Sequence, residues 1–196
     1  MKKILSYLLL IAIGFGLSGC IINNVPTYDE GVKAAWAQVN NQYKRRADLI
    51  PNLIATVKGY AKHEKDVLLQ VTEARSKATS MVLPKDILTN PAAFKKFQAA
   101  QGELTSALSR LLAVSERYPD LKANKNFLAL QSQLEGTENR IAVARRDYIT
   151  AVKKYNLELR TIPNKWIAHF LYPDAKAKQV FSITKEEAKV PKVEFN

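Results

Sequence analysis

Arg45 to Leu53 reads RRADLIPNL, and the path of the chain through these residues decides where the helices of this protein begin and end. Proline has no amide proton and its ring collides with the carbonyl four residues back, so it suits the first turn of a helix and strains the interior. Asp48, three residues before Pro51, is a good N-cap residue. These local signals favour a break, with a new helix opening at Asp48. The apolar phase offers the alternative of one long helix kinked at Pro51. Val32, Trp36, Val39, Tyr43 and Ala47 recur at steps of three or four, and Ile54, Val57, Ala61, Leu68 and Val71 continue the same phase beyond the proline.

Upstream, the first helix is expected to begin at Tyr28, capped by Thr27 or Asp29. Downstream, the second is expected to run to Ala78 or Met81, because Leu83-Pro84-Lys85-Asp86 and Thr89-Asn90-Pro91 are stop and start signals. Asn90 caps a third helix with Pro91 at its first position, and Phe94, Phe97, Leu104, Leu108, Leu111 and Leu112 form its inner stripe. Tyr118-Pro119-Asp120 closes that helix. A fourth opens at Asp120 or Asn124 and carries Phe127, Leu134, Ile141, Ala144, Tyr148, Val152, Tyr155 and Leu159 on one face before Pro163 ends it. With 7 glycines in the chain and no alternating β-branched run before the tail, the fold expected is all-α. It is an antiparallel up-and-down four-helix bundle over residues 28–172, ending in a short helix from Pro163 to Tyr172. A tail, residues 173–196, follows; Val180–Asn196 is basic and expected to be extended, with Val180, Phe181 and Ile183 packing on the bundle and the rest disordered.

The N-terminus gives an address. Lys2 and Lys3 precede a short apolar run that ends in Leu17-Ser18-Gly19-Cys20, the pattern of a secretory signal peptide rather than of a membrane span. Cys20 is the only cysteine and stands at the cleavage point after Gly19, so residues 1–19 read as a signal peptide and the motif resembles the lipobox of bacterial lipoproteins. By that resemblance the Cys20 thiol is acylated, with 20–27 as a short lipidated linker. Two or three acyl chains make a stable anchor where one holds only marginally. Ile21 stands where lipoproteins retained in an inner membrane commonly carry Asp, which favours the outer membrane, facing the periplasm, in a cell with two membranes. No second cysteine exists for a disulfide, so the core alone must hold the fold.

The chain carries 30 basic and 18 acidic residues, and loss of Lys2 and Lys3 leaves a net charge of +10 on the 177 residues that remain. Such a charge beside a membrane suits anionic lipid and other acidic envelope surfaces. Export excludes nucleic acid as the partner. For chemistry the sequence offers little. His63-Glu64 has Val67 where a zinc-protease helix needs its second histidine, and the other histidine, His169, is far along the chain. No phosphate-binding glycine loop, serine elbow or cysteine nucleophile is present. No catalytic residue, metal ligand or cofactor is therefore assigned. Arg45, Arg46, Asp48, Asn52, Arg140, Arg145 and Arg146 form the candidate partner or lipid surface, set against a plainer reading of the arginines as a solvated face or a specificity-setting ion pair across the bundle. Counting reversals from the anchor brings Met81–Pro91 and Pro163–Tyr172 to the membrane-proximal end. Trp166, Phe170 and Tyr172 are the candidate contacts there, with Lys165, Lys176 and Lys178 adding attraction to anionic lipid.

RRADLIPNL, VKGYAKHE at Val57–Glu64, ERYPDLKAN at Glu116–Asn124 and EGTENRIAVARRDY at Glu135–Tyr148 together resemble the LemA family across nearly the whole mature chain. The resemblance implies a four-helix bundle fixed to a bacterial membrane by its N-terminus, with no established enzymatic activity or cofactor, and with some members associated with building magnetosome membranes. Two departures stand out. A lipobox replaces the usual N-terminal transmembrane helix, and Ile149 stands where the family tends to place Asn. The function expected is a non-catalytic, lipid-anchored envelope scaffold that binds an unidentified envelope protein or shapes membrane. The alternative is an envelope enzyme with an unrecognised polar or metal site on the bundle, which converging His63, Glu64 or Asp48 in a deep pocket would favour.

Overall fold

The computed structural model describes residues 22–61 and 64–182. The signal peptide, Cys20, His63 and Ile183 lie outside them. Every regular element described is helical: α1 Asn24–Tyr60, α2 Lys65–Thr79, α3 Pro91–Ser115, α4 Pro119–Lys122, α5 Lys125–Glu158 and α6 Asn164–Leu171. The four longer helices before α6 run up, down, up and down, as an all-α bundle should.

The expected break at Pro51 does not occur. α1 passes through the proline and ends at Tyr60, and Asp48 is an exposed mid-helix residue paired with Lys44 at 2.9 Å rather than an N-cap. Two forces decide this. Ile50, Leu53 and Val57 are fully buried on the inner face, each contributing roughly 1.5–3 kcal/mol. Their sum exceeds the ~3 kcal/mol that an interior proline costs. Pro51 also faces solvent, so its ring displaces no core side chain. Its missing N–H would have donated to the carbonyl of Ala47, and Arg75 of α2 does so instead, Nε to O at 2.8 Å. The reversal falls later, where Glu64 N donates to Ala61 O.

The start of α1 is also earlier than Tyr28, at Asn24, with no side-chain cap. The third and fourth helices begin as their signals specify. Asn90 Oδ1 accepts from Ala93 N, with Pro91 at the first position, and Asn124 Oδ1 accepts from Asn126 N and Phe127 N. Tyr118-Pro119-Asp120 makes the single turn of α4 between them.

α1 and α5 pack along their length as a spine, and α2 with α3 forms a second, shorter pair. The core divides accordingly. Toward the end where α1 begins, Trp36, Tyr43, Phe94, Phe97, Tyr148 and Phe181 form one aromatic cluster, with neighbouring ring centroids 5.0–6.2 Å apart in mostly tilted and edge-on pairs. Toward the other end the filling is mainly aliphatic, from Ile50, Leu53, Val57, Leu104, Leu111 and Leu134, with Phe127 among them.

Lengths correct a second expectation. α2 has 15 residues against 37 in α1, about 22 Å against about 55 Å. The chain between Met81 and Pro91 therefore comes down only to the level of Trp36 and Tyr43, where Ile87 and Leu88 join the aromatic cluster. It lies in the half of the bundle where α1 begins but not at its tip.

Candidate functional site

The tip belongs to α6. A turn with a cis Ile162–Pro163 peptide leads from α5 into it, and only Ala168 of α6 is buried. Trp166 and Phe170 are 56% and 78% exposed, and Ile162 and Leu171 are exposed beside them in sequence. An eight-residue helix that shows its aromatic residues to solvent is the reverse of the usual amphipathic arrangement. Tyr172 Oη donates to Ile22 O at 3.1 Å, and Asn24 and Asn164 both donate to the Glu158 carboxylate. These bonds hold the apolar end beside Ile22, two residues from Cys20. Lys165 and Lys176 are exposed.

Lys178 is not available for lipid. Its ammonium sits 2.6 Å from Asp29 Oδ1 and 5.0 Å from the Tyr155 ring centroid, while its backbone exchanges hydrogen bonds with the Asn156 amide. Burial alone would raise the Asp29 pKa, but hydrogen bonds and charge from Lys178 and Lys33 outweigh it and hold the carboxyl below its ordinary value of 3.8. A depressed folded-state pKa stabilises the fold above the unfolded value and loses that stabilisation as pH falls through the folded one. Asp29→Asn should therefore be less stable than the wild type at neutral pH, with the difference shrinking below about pH 4. Denaturant melts of the two proteins across that range measure it.

The arginines do not form one surface. Arg46 is 1% exposed, inside the bundle, and is withdrawn from any partner face. Its Nη1 donates to Thr105 Oγ1 and Glu138 Oε1, both at 2.8 Å, and its Nη2 to Gln101 Oε1 at 2.7 Å, so one guanidinium ties α1 to α3 and α5. The same guanidinium lies 5.1 Å from the Tyr43 ring centroid. Burial pushes the Tyr43 phenol above its ordinary pKa, so it stays protonated. Arg145 stacks on Phe181 at 4.5 Å. Arg45, Asn52, Arg140 and Arg146 are exposed. Arg140 lines a groove between α1 and α5 with Gln38 and Gln42, and Arg45 and Asn52, three and ten residues past Gln42, continue that side of α1.

Asp48 and Glu64 do not converge. Asp48 lines a cleft of about 540 Å³ between α1, α2 and α3, with Lys44, Arg75 and Gln101. Glu64 lies beyond the far end of α1, itself about 18 Å from Asp48, where it accepts from Arg117 and Tyr118 at 3.0 Å each. His169 is exposed and packs on Phe170. Among the described residues no three His, Cys, Asp or Glu side chains are placed to hold a metal ion, and no helix is long and apolar enough to cross a membrane.

Sequence reasoning missed the Arg75–Ala47 bond, the Asn156–Lys178 clasp and the stacking of Arg145 on Phe181. Each joins residues distant in sequence, and none has a local pattern that announces it. Pro51 was the one available clue to the first, because an interior proline leaves a carbonyl to be satisfied.

These helices define a helical-bundle protein: a long two-helix spine, a shorter pair against it, and an apolar tip beside the start of α1. The chain belongs to the LemA family, whose model matches residues 35–195. Among curated proteins it is 25% identical over 162 residues to the magnetosome proteins MamQ 1 and MamQ 2 of Paramagnetospirillum magneticum, covering 74% of this chain and 60% of theirs. It is 27% identical over 128 residues to protein LemA of Metamycoplasma hominis, covering 65% of this chain and 54% of that one. The matched region is thus under two thirds of each relative's length.

Proposed function

We propose that this protein is a non-catalytic scaffold of the bacterial cell envelope, anchored through acylated Cys20, that rests its α6 end on the membrane and presents its helices to envelope protein partners or uses them to shape the membrane. The observation that carries the reading is the Tyr172–Ile22 hydrogen bond, because it ties the exposed apolar helix to a point two residues from the expected anchor. With the lipid there, Trp166 reaches the headgroup region, where its amphipathic ring is favoured, and the apolar Phe170 ring reaches the acyl boundary. Lys165 and Lys176 add attraction to anionic lipid. Ile21 in place of Asp supports the outer membrane, facing the periplasm, where the cell has two membranes. The exposed Arg45, Asn52, Arg140 and Arg146 supply carboxylate- or phosphate-binding groups for a partner. The likeness to MamQ supports a part in membrane organisation. No cofactor is invoked.

One experiment tests anchor and contact together. The purified protein should carry a metabolically supplied fatty-acid probe, and Cys20→Ser should not. Reconstituted in anionic vesicles with brominated acyl chains, the labelled protein should lose the part of its tryptophan emission that comes from Trp166, while Trp36, buried in the core, stays bright. Trp166→Phe should abolish the quenching. Label on the Ser variant would refute the anchor, and equal quenching with and without Trp166 would refute the contact.

A further inference from the structure

The cleft between α1, α2 and α3 has more hydrogen-bond donors than its own residues use. Its lining acid, Asp48, is engaged by Lys44 at 2.9 Å. Arg75 has no carboxylate partner among the described residues. Its Nε is held by the Ala47 carbonyl, its two Nη groups donate to no described acceptor, and the half-buried guanidinium keeps its charge uncompensated. Gln101 is 7% exposed and lines the same cleft. Its Oε1 is taken by Arg46 Nη2 at 2.7 Å, which fixes the amide and leaves the Nε2 donors without a described acceptor.

The floor beside these donors is apolar. Tyr43, Phe97 and Leu104 are buried there, and Met81 and Leu83, from the connection that follows α2, are half-buried next to them. A volume of about 540 Å³ is that of a pocket for a small molecule or a peptide end. Asn40 and Asn41 line the α1 side with primary amides, each of which offers a donor and an acceptor, as a peptide group does.

We propose that this cleft binds the C-terminal end of an apolar peptide. The free carboxylate lies on the Arg75 fork, the last side chain on the Phe97 and Leu104 floor, and the preceding peptide groups against Gln101, Asn40 and Asn41. Charge selects the ligand, because one uncompensated guanidinium matches a carboxylate better than a dianionic phosphate. Shape selects it further. In a C-terminal residue the carboxylate and the side chain leave the same carbon, and here a charged donor adjoins an apolar floor. About 24 Å of α1 separates Asn24 from Asn40, so the cleft is distinct from the α6 end and fills independently of any membrane contact.

The probe is Gly-Ala-Leu-Phe carrying fluorescein at its N-terminus and a free C-terminus, titrated with the full-length protein in neutral detergent and followed by fluorescence anisotropy. Binding should saturate, and the C-terminal amide of the same peptide should bind at least tenfold more weakly. Thr79→Glu, at an exposed position on the cleft wall one turn beyond Arg75, sets a carboxylate beside the guanidinium. It should weaken binding tenfold or more with helix content unchanged. Arg75→Lys keeps the charge, removes the fork and should weaken binding several-fold. Arg110→Gln, on the separate groove between α2 and α3, should change nothing. Unlabelled peptide should displace the probe at a tenfold lower concentration than sodium octanoate, an acid with a chain but no peptide groups. No saturation, equal binding of the amide, an unchanged affinity in Thr79→Glu, an equal loss in Arg110→Gln, or octanoate as the better competitor would each overturn the proposal.

Discussion

Glu138→Ala should cost about 3 kcal/mol and lower the melting temperature by roughly 6–12 °C, more than any single removal of an exposed charge. The expectation rests on an asymmetry. Glu138 is 41% exposed and Arg46 only 1%, so removing the carboxylate strands a buried guanidinium whose remaining partners are neutral oxygens. Removing the arginine is gentler, because Glu138 can turn to water. Arg46→Met keeps an unbranched apolar stem in the same space and should cost about 1–2 kcal/mol, from the buried Gln101 amide oxygen left without its donor. The order of the two variants in urea melts is the decisive readout. A larger loss for Arg46→Met would mean that the hydrogen bonds to Gln101 and Thr105, rather than the compensation of charge, hold the three helices in register.

The same cluster explains what the sequence could and could not disclose. Periodicity identified Val32, Trp36, Val39 and Tyr43 as one face and Phe94, Phe97, Leu104 and Leu108 as another, because burial on a helix repeats at a fixed interval. Caps at Asn90 and Asn124 were legible because a side-chain acceptor before a helix acts within three residues. An arginine pairing across the bundle is the plainer reading of the sequence, but that Arg46 is the one, and that it is buried, could not be read. It lies next to Arg45 in sequence and follows Tyr43 by three, so its burial depends on what α3 and α5 bring to meet it. Trp166 and Phe170 posed the opposite problem. Their type and spacing fit a core helix or a membrane contact equally well, and only the exposure of both removes the core reading.

RRADLIPNL misled through competition between local and distant terms, and that competition is measurable. The N-cap and proline preferences favour a break, while Ile50, Leu53 and Val57 gain more by staying in phase, and Arg75 removes part of the remaining penalty by supplying the donor that Pro51 lacks. Arg75→Ala should therefore cost about 2 kcal/mol in the wild-type background, because a carbonyl within the α1/α2 contact loses its charged donor. Pro51→Ala restores the backbone N–H and should stabilise by up to roughly 3 kcal/mol. In the Pro51→Ala background the Ala47 carbonyl has a helical partner again, so Arg75→Ala should cost much less, with a coupling of about 1 kcal/mol between the two sites. Melting the four proteins of this double-mutant cycle measures it. If the two changes simply add, the guanidinium holds α2 in place for some other reason. If Pro51→Ala destabilises instead, the backbone constraint that the proline imposes is itself required for α1 to follow α5 along the spine.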